Sequence, residues 1–203
     1  MTKTSDSIIS TLPGGVMRPK DMATLGISRV QIQRLTERGE LVRLGRGLYC
    51  TPDTPMTEAH SLAEVAARVP NGVICLLSAL EFHHLTTQSP WQVWLMLPRH
   101  VHAPRITYPP VAVVHAYGAA FSEGIEEHPV EGVTLRVTSL AKTVVDCFRY
   151  RNRVGQEVAL EALREAVRTR RVSVGEIGEM ARRCQLGTVM HPYLEMIAEA
   201  YAL

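Results

Sequence analysis

The feature that most restricts this chain is a short basic hairpin pattern placed directly behind a capped helix. Leu41-Val42-Arg43-Leu44-Gly45-Arg46-Gly47-Leu48-Tyr49-Cys50 reads as two strands around a Gly-Arg-Gly tip. Glycines on both sides let the backbone turn tightly and present Arg46 at the apex. Upstream, three helical patterns fit within about forty residues. Ser5 to Leu12 carries an apolar stripe of Ile8, Ile9 and Leu12 and is ended by Pro13-Gly14-Gly15. A second helix begins at Arg18-Pro19, where proline suits the first turn, and runs through Met22 and Leu25 to Gly26. Ser28 is the expected N-cap of a third. At 100° per residue, Ser28 and Leu35 fall on the side of Ile32, while Val30, Gln33, Arg34 and Glu37 point away. One face packs, and the other is left for a partner. Three helices followed by a basic hairpin is the order of a winged helix-turn-helix.

Charge agrees with that expectation. Residues 1–50 hold eight Lys and Arg against four Asp and Glu, whereas the rest of the chain holds fourteen against sixteen, within a net charge of +2. A basic head on a mildly acidic body is the footprint of a small nucleic-acid-binding domain. A helix in the major groove reads guanine with Arg and adenine with Gln near its N-terminal half, and Ser28, Arg29, Gln33 and Arg34 supply that set. Gln31 lies nearer the packed side. Arg43 and Arg46 suit phosphate or minor-groove contacts, and Lys20, at the start of the second helix, suits phosphate. Thr51 to Pro55 breaks regular structure. The expected organisation is a DNA-binding domain over residues 1–54 and an α+β domain over 55–203.

The second part is a mixed α/β pattern. Leu62, Val65, Ala66 and Val69 form a helical stripe, with Ser61 and Glu64 spaced as a capping box. Val73 to Phe82 is nearly all apolar and reads as a buried helix, although periodicity alone does not separate that from a strand. Trp91 to Leu97, Val111 to Tyr117 and Val133 to Val137 have strand composition. Helical patterns follow at Leu140 to Phe148, Glu157 to Val167 and Val174 to Cys184, the last opened by Ser173 and Glu176, with a terminal helix at Tyr193 to Tyr201.

Other chemistry finds little support. Four widely spaced cysteines without a CxxC pair argue against a zinc knuckle or a disulfide scaffold and for a reduced, cytoplasmic setting. No apolar run spans a membrane, and no secretory leader is evident. His83-His84 and His100-x-His102 lack the spacing and acidic company of a zinc hydrolase, and Ser78 lacks a GxSxG elbow. Neither a phosphate loop nor a metal-nuclease motif is present, so no catalytic residue, metal or cofactor is expected. Lys142 and Asp146, at i and i+4, read as a helical ion pair ahead of a buried acid or a partner-facing pair. Arg149, Tyr150, Arg151 and Arg153 form the densest basic run of the body. Charge at a helix C-terminus accounts for it, while the interleaved tyrosine also permits a nucleic-acid or partner surface.

The sequence resembles the AbiEi-type antitoxins of type IV toxin-antitoxin systems, transcriptional regulators linked to phage defence. The resemblance rests on Gly26-Ile27-Ser28-Arg29, Leu35 and the run from Gly39 to Tyr49, and continues through Val73 to Leu80 and Ser139 to Asp146. It implies a winged-helix repressor of its own operon. It also implies a C-terminal domain that counteracts a neighbouring nucleotidyltransferase-like toxin without a stable complex. The base-reading positions carry over as far as Ser28, Arg29, Gln33, Arg34 and Arg46. The expected function is therefore a DNA-binding autorepressor and antitoxin acting on inverted-repeat operator duplexes, without catalysis. The alternative is a protein-interaction module that binds a toxin directly through Trp91, Trp94 and the Arg149 to Arg153 run, with the head only localising it.

Overall fold

The computed structural model describes residues 12 and 14–201. The helix expected over Ser5 to Leu12 falls outside the described residues except for Leu12. Helices and sheets are mixed in one α+β chain, and the described residues divide into two compact units, those up to residue 70 with 128–135, and residues 71–127 with those from 136 onward.

In the first unit, α1 (Pro19–Thr24) and α2 (Arg29–Glu37) precede the hairpin β1 (Val42–Gly45) and β2 (Leu48–Cys50), and α3 (His60–Arg68) follows. Helix α2 starts where Ser28 Oγ accepts the Gln31 N–H and Gln31 Oε1 accepts the Ser28 N–H, satisfying two otherwise orphaned donors. Ile32 and Leu35 then pack with Met17, Met22, Ile27 and Leu41 in a small core. The β1–β2 register pairs Val42 with Cys50 and Gly45 with Leu48, so Arg46 and Gly47 form the two-residue turn, with Gly47 at φ +73°. Met17 adds a third rung by exchanging backbone hydrogen bonds with Tyr49 at 2.8 and 2.9 Å.

This unit continues past residue 54, where the composition change falls, because Leu62, Val65 and Ala66 of α3 are buried. The helix begins at His60 behind Ala59 without a side-chain cap, so the Ser61–Glu64 box does not form. Glu64 is instead buried and pairs with Arg68 at 3.7 Å. The unit also gathers residues 128–135 from far along the chain. Glu131 accepts hydrogen bonds from Thr57 N at 2.7 Å and Thr57 Oγ at 2.8 Å and pairs with His60 Nδ1 at 2.6 Å, while its carbonyl accepts from Val16 N at 2.6 Å. A Cβ on Gly15, at φ +99°, would lie 1.9 Å from that carbonyl oxygen, so the approach admits only glycine.

The sheet of the second unit is built from β3 (Val73–Ile74), β4 (Val93–Pro98), β5 (Val111–Ala116), β6 (Ile125–Val130) and β7 (Val133–Thr138) in the order β5-β4-β3-β7-β6, the turn end of β6 and β7 grouping with the first unit. Strand β3 runs antiparallel to β4 and parallel to β7, and β4 runs parallel to β5. The apolar run from Val73 is neither one helix nor one strand: after two strand residues and Cys75, Leu76 turns at φ +49° into α4 (Leu76–Phe82). Strand β6 escapes the sequence reading because its Glu, His and Pro mask a strand signal, and such residues are tolerated at a sheet edge. Between β5 and β6 lies the short α5 (Ala119–Ser122).

Helices α6 (Leu140–Arg149), α7 (Arg151–Val154), α8 (Gln156–Arg168), α9 (Val174–Arg183) and α10 (Gly187–Tyr201) complete this unit. Ser173 and Glu176 cap α9 reciprocally, as their spacing predicts. The terminal helix begins six residues earlier than Tyr193, carrying Pro192 within it. Trp94, Met96, Ala112, Val114 and Ala116 on one sheet face form a single core with Val145, Phe148, Leu163 and Ile177 of the helices.

Candidate nucleic-acid interface

Helix α2 divides as its periodicity predicts. Ile32 and Leu35 are buried, whereas Arg29, Val30, Gln33, Arg34 and Glu37 are exposed, Val30 by 59%. Ser28 is exposed but engaged in capping, and Gln31 is half-buried and held in the same box, which removes it from the outward face. Gln33 Nε2 donates to Glu37 Oε1 at 2.9 Å, holding the amide along the helix surface.

Beside this face lies a cleft of about 550 Å³ lined by Arg29, Gln33, Thr36 and Glu37 of α2, Pro19 of α1, and Arg43 and Tyr49 of the hairpin. Three of the expected residues, Arg29, Gln33 and Arg43, are thus brought together. Arg43 Nε donates to the Gly45 carbonyl at 3.2 Å, which orients its guanidinium along the hairpin. A Cβ on Gly45 would meet the guanidinium end of Arg68 at 2.5 Å, a flexible tip that can move aside. Ser28, Arg34, Arg46 and Lys20 are exposed outside the cleft, Arg34 on the next helical position and Arg46 at the turn.

The start of α1 is fixed by Arg18, whose Nε donates to Asp21 Oδ2 at 2.7 Å. Partial burial pushes the Asp21 carboxyl up, but the hydrogen bond and charge of Arg18 outweigh it and hold the group below its usual range. Thr36 and Tyr49 are cleft residues that the sequence reading did not single out. Thr36, at i+4 from Ile32, lies on the edge of the packed side and is half-buried, and Tyr49 becomes a neighbour only when the hairpin folds back.

In the body, all four residues of the basic run donate to backbone carbonyls. Arg149 Nη2 reaches Cys184 O, Tyr150 Oη reaches His115 O at 2.8 Å, Arg151 Nη1 reaches Phe148 O at 2.9 Å, and Arg153 Nη1 reaches Val113 O at 2.9 Å. Two of these acceptors lie on the edge strand β5, so the run covers exposed strand carbonyls. Burial first, then the nearby Asp146 and Cys75, pushes the Tyr150 phenol up to about 12, so it keeps the proton it donates. Lys142 and Asp146 do form the i, i+4 pair, but both side chains are fully buried rather than lying on a solvated face. His83 is a buried core histidine on the Thr138 carbonyl at 2.7 Å. All four cysteines are free and buried. Among the described residues, no group of three His, Cys, Asp or Glu side chains is placed to hold a metal, and no helix is long and apolar enough to cross a membrane.

The segment that builds the exposed helix face, cleft and hairpin is the one a family model covers. Residues 14–52 match the family described as transcriptional regulator, AbiEi antitoxin. No curated protein matches the chain. The fold is similar to the crystal structure of the Rv2827c protein from Mycobacterium tuberculosis, with a TM-score of 0.61 and 16% identity over 97% of this chain and 78% of that one. At that identity the likeness concerns the fold alone. The AbiEi match covers the whole course from Gly14 through α1, α2 and both hairpin strands.

Proposed function

We propose that this chain is a DNA-binding autorepressor and antitoxin whose residues 1–54 form a winged helix-turn-helix and whose residues 55–203 carry the antitoxin role. The observation that carries the reading is the coincidence of the AbiEi match with an outward helix face that flanks a basic hairpin. In this arrangement α2 enters the major groove. Arg34 and Arg29 recognise guanine, Gln33 recognises adenine, and Val30 meets a thymine methyl. Ser28, as N-cap, sits where the helix N-terminus meets a phosphate, and Lys20, Arg43 and Arg46 hold the flanking backbone. Operators would be inverted repeats with half-sites ~34 to 36 Å apart. The protein acts without catalysis in the cytoplasm, and its toxin is nucleotidyltransferase-like and is opposed without a stable complex.

A mobility-shift titration of the full chain on its own promoter tests this. Arg34→Ala with Arg46→Ala should weaken binding and flatten the dependence of log K on log salt by about 0.9 per lost phosphate contact. Unchanged affinity and slope would place the interface elsewhere.

A further inference from the structure

Among the described residues that line the cleft beside α2, Glu37 alone carries a negative charge, and it stands there with Arg29, Gln33 and Arg43. Its place is unfavourable on two counts. It is the last residue of α2, where the partial negative charge of a helix C-terminus opposes a carboxylate. It is also exposed on the outward face, where it would repel the phosphates of a duplex. A lysine or glutamine would be hydrated there as well and would suit both fields, so hydration does not account for the carboxylate.

The contact it makes does. Gln33 Nε2 donates to Glu37 Oε1 at 2.9 Å, one helical turn away on the same face. A carboxylate only accepts, so the bond decides which end of the amide faces Glu37: the nitrogen turns toward it and the carbonyl turns away. A glutamine amide has two N–H donors and one carbonyl, so one bond to Glu37 leaves an N–H and the carbonyl free. Those are the two groups that a bidentate contact with adenine N7 and N6 uses. An amide left free to flip presents donor and acceptor in either order and must lose that freedom on binding.

We infer, on the base-reading role proposed for α2, that Glu37 is a positioning residue: it holds the Gln33 amide in the orientation from which it reads adenine. Glu37 thus contributes selectivity and costs affinity for DNA in general. A pair that only stabilised the helix would act differently, because a frayed helix weakens its contacts with every base at once.

The test titrates the full chain by mobility shift on the operator from its own promoter, with each base pair exchanged in turn, and on a scrambled duplex. Glu37→Ala places a strong helix former at the position and removes the charge that opposes the helix C-terminus, so α2 stays folded. It should bind scrambled duplex at least as tightly as the parent. Its preference for adenine at the position read by Gln33 should fall about five-fold, the lower end of what a bidentate pair contributes, while other positions keep theirs. Glu37→Gln, whose side-chain carbonyl still accepts the Gln33 N–H, should restore that preference. In the double variant Gln33→Ala with Glu37→Ala the two losses should not add. A position-specific loss in Gln33→Ala beside an unchanged or uniformly weakened profile in Glu37→Ala would overturn the inference alone, as would additive losses or failure of Glu37→Gln to restore the preference. A Gln33→Ala profile that superimposes on that of the parent would overturn the base-reading role of α2 and the inference with it.

Discussion

Replacing Lys142 by Met would remove one member of an ion pair that no water reaches. Both side chains are fully buried on α6, Lys142 Nζ donates to Asp146 Oδ2, and Asp146 Oδ1 accepts no hydrogen bond from any described residue. Removing one partner of such a pair leaves an uncompensated charge and costs about 3 to 5 kcal/mol, whereas removing both leaves none. The double variant Lys142→Met with Asp146→Asn should therefore lose less stability than Lys142→Met alone. Both tryptophans lie in the second unit, so urea unfolding followed by their fluorescence reports that unit alone. The pH dependence has a definite sign. Burial already pushes the Asp146 carboxyl up against the opposing pull of Lys142 and, less strongly, of Arg149, and without Lys142 the larger part of that pull is gone. A carboxyl whose folded pKa lies above its unfolded value binds more protons when folded, so the deficit of Lys142→Met should shrink as pH falls from 7 toward 4. If the single-variant losses simply add in the double variant, or if the Lys142→Met deficit does not change with pH, the pair contributes no coupled buried charge and the reasoning fails.

Glu131 titrates with the opposite sign: burial pushes its carboxyl up, but hydrogen bonds from Thr57 and His60 prevail and hold it below its usual range. Its contribution is present above the unfolded pKa and lost as pH falls through the folded one, so the protection factor of the Val16 amide, its exchange rate taken relative to the intrinsic rate at each pH, should fall on acidification less steeply in Glu131→Gln than in the parent chain. Gly15→Ala should destabilise the first unit by ~1 to 3 kcal/mol or more in thermal unfolding, because the strained conformation adds to the overlap with Glu131. Gly14→Ala should stay close to the parent, since its Cβ meets nothing within 4 Å. Ser28→Ala should cost about 1 kcal/mol in the same assay through loss of the α2 cap, and Ser28→Asp should retain most of the stability.

Local signals in the sequence suffice where a residue's near neighbours, and not its burial, decide its partner. Ser28 and the Ile32, Leu35 spacing located α2 and its outward face, and Ser173 with Glu176 located the start of α9. The same logic failed at Ser61 and Glu64, because burial against the first-unit core assigns Glu64 to Arg68 instead. No local pattern could announce that Glu131 returns to Thr57 and His60, about seventy residues away, or that Tyr49 closes the cleft beside α2. For Lys142 and Asp146 the i, i+4 spacing is the same on a wet or a dry helix. The apolar neighbours Val144, Val145, Cys147 and Phe148 carry the signal of burial that the spacing alone does not.

The central claim is that the outward face of α2 reads bases, and a base-by-base substitution profile of the operator tests it most directly. Affinities of the parent chain and of Gln33→Ala should differ at one position in each half-site, where Gln33→Ala no longer discriminates, by ~1 to 3 kcal/mol, while the other positions keep their preferences. A uniform loss across all positions, or profiles that superimpose, would contradict it.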